Sequence, residues 1–170
     1  LLLSNHDNSC TTCVRNTNCE LQTLSKKMNI MNIEFEGEFE KKDIDTSSCS
    51  IVRDPNKCIL CKRCVAVCQK VQGVGAIETL NRGYNSIIGS TFDKSLADVN
   101  CVNCGQCIQA CPTGALSQKD NTKEVWEALK DKDKYVVVQT APAVRAALGE
   151  EFGMKIGTLV TGKMVTALKR

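Results

Sequence analysis

The spacing of apolar positions in the last third of the chain predicts helices separated by one strand. Residues 122–129 place apolar side chains on one face of an amphipathic helix. Pro142 opens a second predicted helix, at the first position, where proline is favoured, and residues 163–170 begin a third. Between the first two helices, residues 135–139 form a continuous, mostly β-branched run that is typical of a buried parallel strand. This order predicts the start of an α/β domain whose remainder we expect outside the chain.

The first fifty residues give a weaker pattern. Residues 19–28 contain helix formers with leucines at helical spacing, and a helix is predicted there. Residues 33–44 alternate apolar and acidic side chains and then turn basic. This pattern leaves two interpretations open, an edge strand or a tether.

Short strands are predicted in the middle of the chain. Residues 51–53 are a strand candidate, which we expect to pair with a second short strand at residues 113–116. Residues 76–80 and 84–89 flank an Asn-Arg-Gly sequence that is typical of a hairpin turn. The sequence therefore predicts two small antiparallel pairs rather than one large sheet.

Two copies of one cysteine motif lie among these strands. Both read C-x2-C-x2-C-x3-C, and each cysteine of the second copy lies 43 positions after its counterpart. This is the bacterial-ferredoxin pattern, in which three thiolates of one loop bind a [4Fe–4S] cube and the fourth binds the other cube. The pattern predicts two clusters, one held by Cys58, Cys61, Cys64 and Cys111, the other by Cys101, Cys104, Cys107 and Cys68.

Zinc sites and disulfides are the alternative interpretations of this motif. Structural zinc uses paired C-x2-C knuckles, which two matching runs of four cysteines fit poorly. One departure from the ferredoxin pattern is minor: Pro112 follows the fourth cysteine of the second copy, but Gln69 follows that of the first. The two-cluster interpretation is favoured.

Composition narrows the class of protein. Twelve of 170 residues are cysteines and only 4% are aromatic, so we expect metal clusters to stabilise a core that contains few aromatic side chains. Cluster ligands must be reduced thiolates, and no signal peptide pattern precedes them, so a cytoplasmic location is expected. No apolar run is long enough for a membrane helix. The net charge of +3 is too small and dispersed to indicate nucleic-acid binding.

A third constellation lies near the N-terminus, where His6-x3-Cys10-x2-Cys13-x5-Cys19 brings three thiols and the single histidine of the chain together. A neutral imidazole can complete the ligand shell of a [4Fe–4S] cluster and tends to raise its potential. Zinc in a Cys3His site is the alternative. Cys49 is left over, in a polar stretch, and is interpreted as a free thiol.

The order of these parts resembles that of large, multi-cluster [FeFe]-hydrogenases. The His6 constellation, ending Cys-Glu-Leu-Gln, resembles their histidine-ligated [4Fe–4S] domain, and the double motif resembles their ferredoxin-like domain. Residues 140–152 (Thr-Ala-Pro-Ala-Val-Arg-Ala-Ala-Leu-Gly-Glu-Glu-Phe) and 160–163 (Val-Thr-Gly-Lys) resemble the opening of their catalytic domain. The first two parts are shared with NADH dehydrogenase iron–sulfur subunits and some NAD-linked formate dehydrogenases. The Ala-Pro-Ala-Val-Arg segment points to hydrogenase.

The resemblance implies an α+β protein of three parts. These are a small His/Cys3 iron–sulfur domain (residues 1–45), a bacterial-ferredoxin-like domain with two [4Fe–4S] clusters (46–120), and the first strand and helices of an α/β catalytic domain (121–170). No cysteine follows Cys111, so the motifs that bind the catalytic H-cluster have no counterpart here. The H-cluster and the family's [2Fe–2S] cluster are expected only in a full-length parent.

The expected function is an electron relay through three [4Fe–4S] clusters, between an external partner and a hydrogen-activating site outside the chain. The expected partner is a ferredoxin or another iron–sulfur or flavin subunit, within a larger chain or a multi-subunit complex. Two alternatives remain. One is an iron–sulfur subunit of an NADH or formate dehydrogenase, and the other is a zinc-stapled binding module without redox chemistry.

Overall fold

The computed structural model describes residues 2–34 and 40–169, which form two compact units divided between Asp120 and Asn121. The first unit contains helices α1 (Glu20–Lys27), α2 (Arg63–Ala66) and α3 (Gln106–Ala110). It also contains strands β1 (Ile51–Arg53), β2 (Glu78–Leu80), β3 (Ile87–Gly89) and β4 (Leu116–Gln118). The second unit contains α4 (Thr122–Lys130), α5 (Pro142–Glu151) and α6 (Thr161–Lys169). None of the helices in the described ranges is long and apolar enough to cross a membrane.

Two antiparallel strand pairs frame the first unit. In one pair β1 lies beside β4, with Arg53 opposite Leu116, and in the other β2 lies beside β3, with Glu78 opposite Gly89. Both predicted pairings are confirmed, although β4 begins at Leu116 rather than at residue 113. The reason is that residues 112–115 form a bend and turn, in which the Thr113 hydroxyl donates to the Lys57 carbonyl at 2.7 Å.

The core of this unit lies between the strand pairs and the two cysteine loops. Ile51, Ile77 and Leu96 are almost completely buried there. Cys64, Cys107 and Cys111 belong to the same buried cluster of side chains. The thiols therefore occupy positions that large apolar side chains fill in most small domains, as the aromatic-poor composition predicts.

The N-terminal segment packs on the end of the cysteine-loop fold. Helix α1, predicted from the leucine spacing, begins at Glu20 and buries Leu21. The Glu20 N–H donates to the Pro112 carbonyl at 3.3 Å, and the Glu20 carboxylate pairs with Arg63 at 2.9 Å. Of the segment predicted as an edge strand or a tether, residues 35–39 lie outside the described residues, and Asp45, just beyond it, makes a bridge with Arg53.

The second unit confirms three predicted helices and corrects the predicted strand. Residues 135–139 have no regular secondary structure, and Tyr135 is 95% exposed. A strand requires a neighbour with which to exchange N–H and C=O hydrogen bonds, and no strand occurs among the described residues 121–169. Gly149 of α5 lies against Val160, the buried residue just before α6, and a β-carbon added to Gly149 would be 3.1 Å from Val160 Cγ1.

Candidate metal centres

The two cysteine loops repeat one backbone conformation. Leu60 and Asn103, each just before the second cysteine of its motif, have positive φ angles of 56° and 54°. Lys62 and Gly105, each just after that cysteine, have φ angles of 62° and 72°. Residues with left-handed backbone conformations on both sides of a cysteine turn a short chain sharply. Of these four residues, only Gly105 adopts a positive φ angle without steric cost. The duplication therefore extends from sequence to backbone geometry.

The two copies differ after the fourth cysteine. Cys111 is extended (ψ 120°) and ends α3, because the following Pro112 disfavours a helical conformation in the residue before it. Cys68 instead lies inside a π-helical turn, Val67–Val71, that continues α2. Such turns are rare and occur often at functional sites. Glutamine at position 69 is therefore the local reason why the first helix continues through its cysteine.

Cys58, Cys61, Cys64 and Cys111 line one cavity, together with apolar side chains that include Ile77. Burial raises the pKa of Cys58 to about 11 and that of Cys64 to about 12. The nearby thiols of the same set raise both values further, since one thiolate disfavours another close by. Without metal, Cys58 and Cys64 are therefore protonated at neutral pH, and metal binding to them releases protons.

Cys68, Cys101, Cys104 and Cys107 line a second cavity. Burial raises the pKa of Cys107 to about 11, and the neighbouring Cys101, Cys104 and Cys68 add to the effect. The loop is held in place by Asn103, whose side-chain oxygen accepts a hydrogen bond from the buried Ser48 hydroxyl at 2.9 Å. This second set is thus as compact as the first.

The structure groups the eight cysteines into the same two sets that the ferredoxin spacing predicts, and their role as ligands stays a prediction. Among the described residues, no three His, Cys, Asp or Glu side chains are arranged to hold a single metal ion. A zinc ion requires thiolates about 2.3 Å from one point. Each set of four instead surrounds a cavity, which is the arrangement that a larger cube of four irons and four sulfides fits.

The N-terminal site has a buried histidine. His6 is 7% exposed, and burial lowers its pKa although Asp7 and Asn8 oppose the shift, so the imidazole is neutral at pH 7. Its Nδ1 accepts the Asn8 N–H at 2.9 Å and lies 3.5 Å from an Asp7 carboxylate oxygen. Because Nδ1 accepts this hydrogen bond, the proton of the neutral ring is on Nε2 in this arrangement.

Two thiols of the N-terminal site contact the segment that follows Cys111. The Cys19 thiol donates to the Pro112 carbonyl at 3.7 Å. A β-carbon built on Gly114 would lie only 2.6 Å from Cys13 Sγ. Cys10 lies at the start of a 3-10 turn, Cys10–Thr12, and its own N–H donates to the Asn8 carbonyl at 2.8 Å. The segment 112–114 is therefore the contact surface between the N-terminal site and the first cavity.

Cys49 is exposed, unlike most of the other thiols. The serines on either side of it both donate to Asn103, Ser48 at 2.9 Å and Ser50 at 3.2 Å. Its neighbours thus support the second cysteine loop, whereas Cys49 is not among the residues that line either cavity, and its interpretation as a free thiol stays a prediction.

Two cations near the sites, the buried Arg53 and the half-buried Lys57, were not found by sequence reasoning. Arg53 lines the first cavity, and its charge lowers the pKa of Cys58 in opposition to burial. Lys57 pairs with Asp54 at 3.0 Å and lies near Cys13, which raises the pKa of Lys57. Neither belongs to a motif with known spacing, so only the three-dimensional contacts could identify them.

Three protein-family models match successive parts of the chain. Residues 1–34 match the NADH-ubiquinone oxidoreductase-G iron–sulfur binding region, and residues 57–115 match the 4Fe-4S dicluster domain. Residues 134–170 match the C-terminal domain of the iron-only hydrogenase large subunit. The last match separates hydrogenase from the dehydrogenases that share the earlier parts. These domains and the twelve cysteines indicate that the chain binds multiple [4Fe–4S] clusters.

Individual proteins agree with this order. The chain is 49% identical over 173 residues to the NADP-reducing hydrogenase subunit HndD of Solidesulfovibrio fructosivorans, a match covering all of this chain and 29% of that protein. It is 41% identical over 170 residues to iron hydrogenase 1 of Clostridium pasteurianum, covering 99% of this chain and 30% of that protein. The chain thus spans less than a third of the length of these relatives.

A solved structure is also similar. The crystal structure of an NAD+-reducing [NiFe]-hydrogenase in the H2-reduced state matches with a TM-score of 0.63 and 28% identity, covering 69% of this chain and 50% of that chain. The shared iron–sulfur fold is therefore not confined to one type of hydrogenase, and the match at residues 134–170 decides between types. The protein belongs to the iron-only hydrogenase large-subunit family, of which it carries the iron–sulfur region and part of the C-terminal domain.

Proposed function

We propose that the chain relays single electrons through three [4Fe–4S] clusters, between a redox partner and a hydrogen-activating site outside its 170 residues. The observation that carries the proposal is the grouping of eight thiols into two sets of four around two adjoining cavities, both of which Ile77 lines. Two such sites beside each other, with a third Cys/His site in contact with one of them, support transfer in short steps.

The proposed ligand sets follow the contacts. One cluster is held by the cavity of Cys58, a second by the cavity of Cys107, and the third by the N-terminal site, with the ligands His6, Cys10, Cys13 and Cys19. For the third site we propose ligation through Nε2 of His6. Ligation through Nε2 would require the ring proton on Nδ1, which would then donate to the Asp7 carboxylate, 3.5 Å away, instead of accepting the Asn8 N–H.

A [4Fe–4S] cube supplies one-electron redox chemistry when it is bound. The contribution of the protein is to hold, separate and insulate the sites. Ile77, Ile88 and Leu116 exclude water from the first cavity. Electrostatic effects of neighbouring groups are stronger in such apolar surroundings than in water. Backbone N–H groups of both loops donate to thiols, that of Leu60 to Cys58 and that of Ile108 to Cys107.

The contact between the N-terminal site and the first cavity supports a defined order of transfer. The N–H of Glu20, the residue after Cys19, donates to the Pro112 carbonyl at 3.3 Å, and Pro112 is bonded directly to Cys111 of the first set. The path from one proposed ligand to the other therefore consists of a few covalent bonds and one hydrogen bond. Electrons exchanged at the N-terminal site would pass next to the first cavity and then to the second.

The remaining features of the parent protein are also proposals. We propose three modules, residues 1–45, 46–120 and 121–170, in that order, the last belonging to an α/β catalytic domain. We propose a cytoplasmic location, because thiolate ligands must stay reduced. For the partner we propose a ferredoxin or another iron–sulfur or flavin subunit, and one relative is by name a subunit of an NADP-reducing hydrogenase.

Anaerobic preparation of the chain, followed by iron analysis and electron paramagnetic resonance of the reduced protein, tests the proposal. Three cubes require about twelve irons per chain and three reducible signals. About eight irons would remove the N-terminal cluster, and zinc in place of iron would contradict the relay. The chain should not evolve hydrogen with a strong reductant, because no cysteine after Cys111 is available to anchor a catalytic iron. Hydrogen evolution above that of a metal-free control would contradict this assignment.

A further inference from the structure

Arg53 distinguishes the two four-cysteine cavities. It ends β1, it is 8% exposed, and it lines the cavity of Cys58, Cys61, Cys64 and Cys111. The second cavity is lined by no Arg, Lys, Asp or Glu among the described residues. The two copies of the motif thus hold their thiols in similar loops but in different electrostatic surroundings.

The Arg53 guanidinium is held by several contacts. Its Nη1 donates to the Ile88 carbonyl at 3.1 Å, and Nη2 lies 3.5 Å from the Asp93 carboxylate. Its Nε is 3.9 Å from an Asp45 oxygen and is buried without a hydrogen-bond partner. A β-carbon on Gly89 would lie 3.0 Å from Nη1, so glycine at that position leaves just enough room for the guanidinium.

The charges around the first cavity do not cancel Arg53 at the thiols. Asp45 and Asp93 are absent from the described residues that line the cavity, and Asp93 is 56% exposed on its side chain, where water screens it. The other charged lining residues are Asp54, which is paired with Lys57, and the exposed Lys62.

We infer that Arg53 is a positioning residue for electron flow, whose buried positive charge sets the potential of the cluster in the Cys58 cavity above that of the cluster in the Cys107 cavity. Reduction adds one negative charge to a cluster, and a nearby buried cation stabilises the reduced form. This inference rests on the proposed function. It adds a reason why two sites with the same ligands have different potentials.

The test is a redox titration of the anaerobically prepared 170-residue chain, followed by electron paramagnetic resonance. Arg53→Met removes the charge, Arg53→Lys keeps it, and Asp93→Asn removes a half-exposed counter-charge. Arg82→Met, an exposed arginine in the hairpin turn, is the matched control. A separate Cys61→Ser variant identifies which signal belongs to the first cavity.

We expect Arg53→Met to shift the midpoint of that one signal to more negative potential and Arg53→Lys to restore most of the shift. We expect Asp93→Asn to change the midpoint little, because water screens the Asp93 carboxylate. An unchanged midpoint in Arg53→Met, with iron content equal to that of the parent, overturns the inference. If Arg53→Met loses iron, Arg53→Gln decides, because it removes the charge but keeps a side-chain donor for the Ile88 carbonyl, and an unchanged midpoint there overturns the inference as well. A parent chain without clusters in the two cavities would instead refute the proposed function.

Discussion

Gly114→Ala is a sharp test of the contact between the N-terminal site and the ferredoxin-like fold. Gly114 is buried, and an added β-carbon would lie 2.6 Å from Cys13 Sγ, 3.4 Å from Lys57 Cδ and 3.6 Å from Val14 Cγ2. Ordinary contacts are roughly 3.5–4.0 Å, so the overlap with sulfur is about 1 Å. The φ angle of Gly114 is not positive, so the whole effect of the substitution comes from this overlap.

The magnitude depends on whether Cys13 is a ligand. In the metal-free chain the thiol can rotate away, at about 0.5–1.5 kcal/mol if the side chain leaves its rotamer. A thiolate fixed to a cluster cannot rotate, and overpacking then costs about 1–3 kcal/mol. The difference between the middle values of these two ranges, about 1 kcal/mol, corresponds to a roughly five-fold weaker retention of the N-terminal cluster.

The assay compares iron content and the free energy of unfolding, with and without iron, for Gly114→Ala and for Gly162→Ala. Gly162 lies in helix α6, has open space where the β-carbon would be, and has no positive φ, so alanine there is expected to be neutral or slightly stabilising. We expect Gly114→Ala to lose about four of twelve irons under mild chelation while the other eight are retained. Parental iron retention would refute the argument that Cys13 is a fixed ligand against Gly114.

Three further predictions concern single positions. His6→Cys should keep the N-terminal cluster but lower its potential, because a thiolate replaces a neutral imidazole, and His6→Ala should weaken that cluster; parental spectra and potentials in both variants would show that His6 is not a ligand. Cys49→Ser should leave all clusters intact in iron analysis, since the thiol is exposed, and loss of any cluster would mean that a ligand is misassigned. Lys62→Gly should stabilise the chain by about 0.5–1 kcal/mol, and Gly105→Ala should destabilise it by about 1 kcal/mol, because both positions have positive φ; equal effects of the same sign in chemical denaturation would contradict the shared loop conformation.

The sequence predicts the ferredoxin-like part well because metal ligation and turn chemistry are local. The spacing of the cysteines gives the two sets, and the Asn-Arg-Gly turn gives the pairing of β2 with β3. The strand predicted at residues 135–139 fails because a strand depends on a partner elsewhere, and a β-branched run carries no information about whether one is present. The same run is exposed here.

Arg53 and Gly114 could not be predicted, for a related reason. Each acts through residues distant in sequence, Arg53 through Ile88 and Asp93, and Gly114 through Cys13. A lone arginine at the end of a short strand is more often a solvated surface residue, and a glycine after a proline and a threonine indicates only a turn. Their roles depend on packing between segments, which no local pattern encodes.

The duplicated motif and its different surroundings together explain how one fold can give a directed relay. Two sites with the same ligands and loops would have similar potentials, and an electron would then have no preference between them. The two sites differ in residues that are not proposed ligands. Arg53 lines the first cavity, whereas no charged residue among those described lines the second. The helix of the first motif continues through Cys68, but the helix of the second motif ends at Cys111. The ligand positions are fixed by the need to hold iron, so the potentials can be adjusted only through the residues around them.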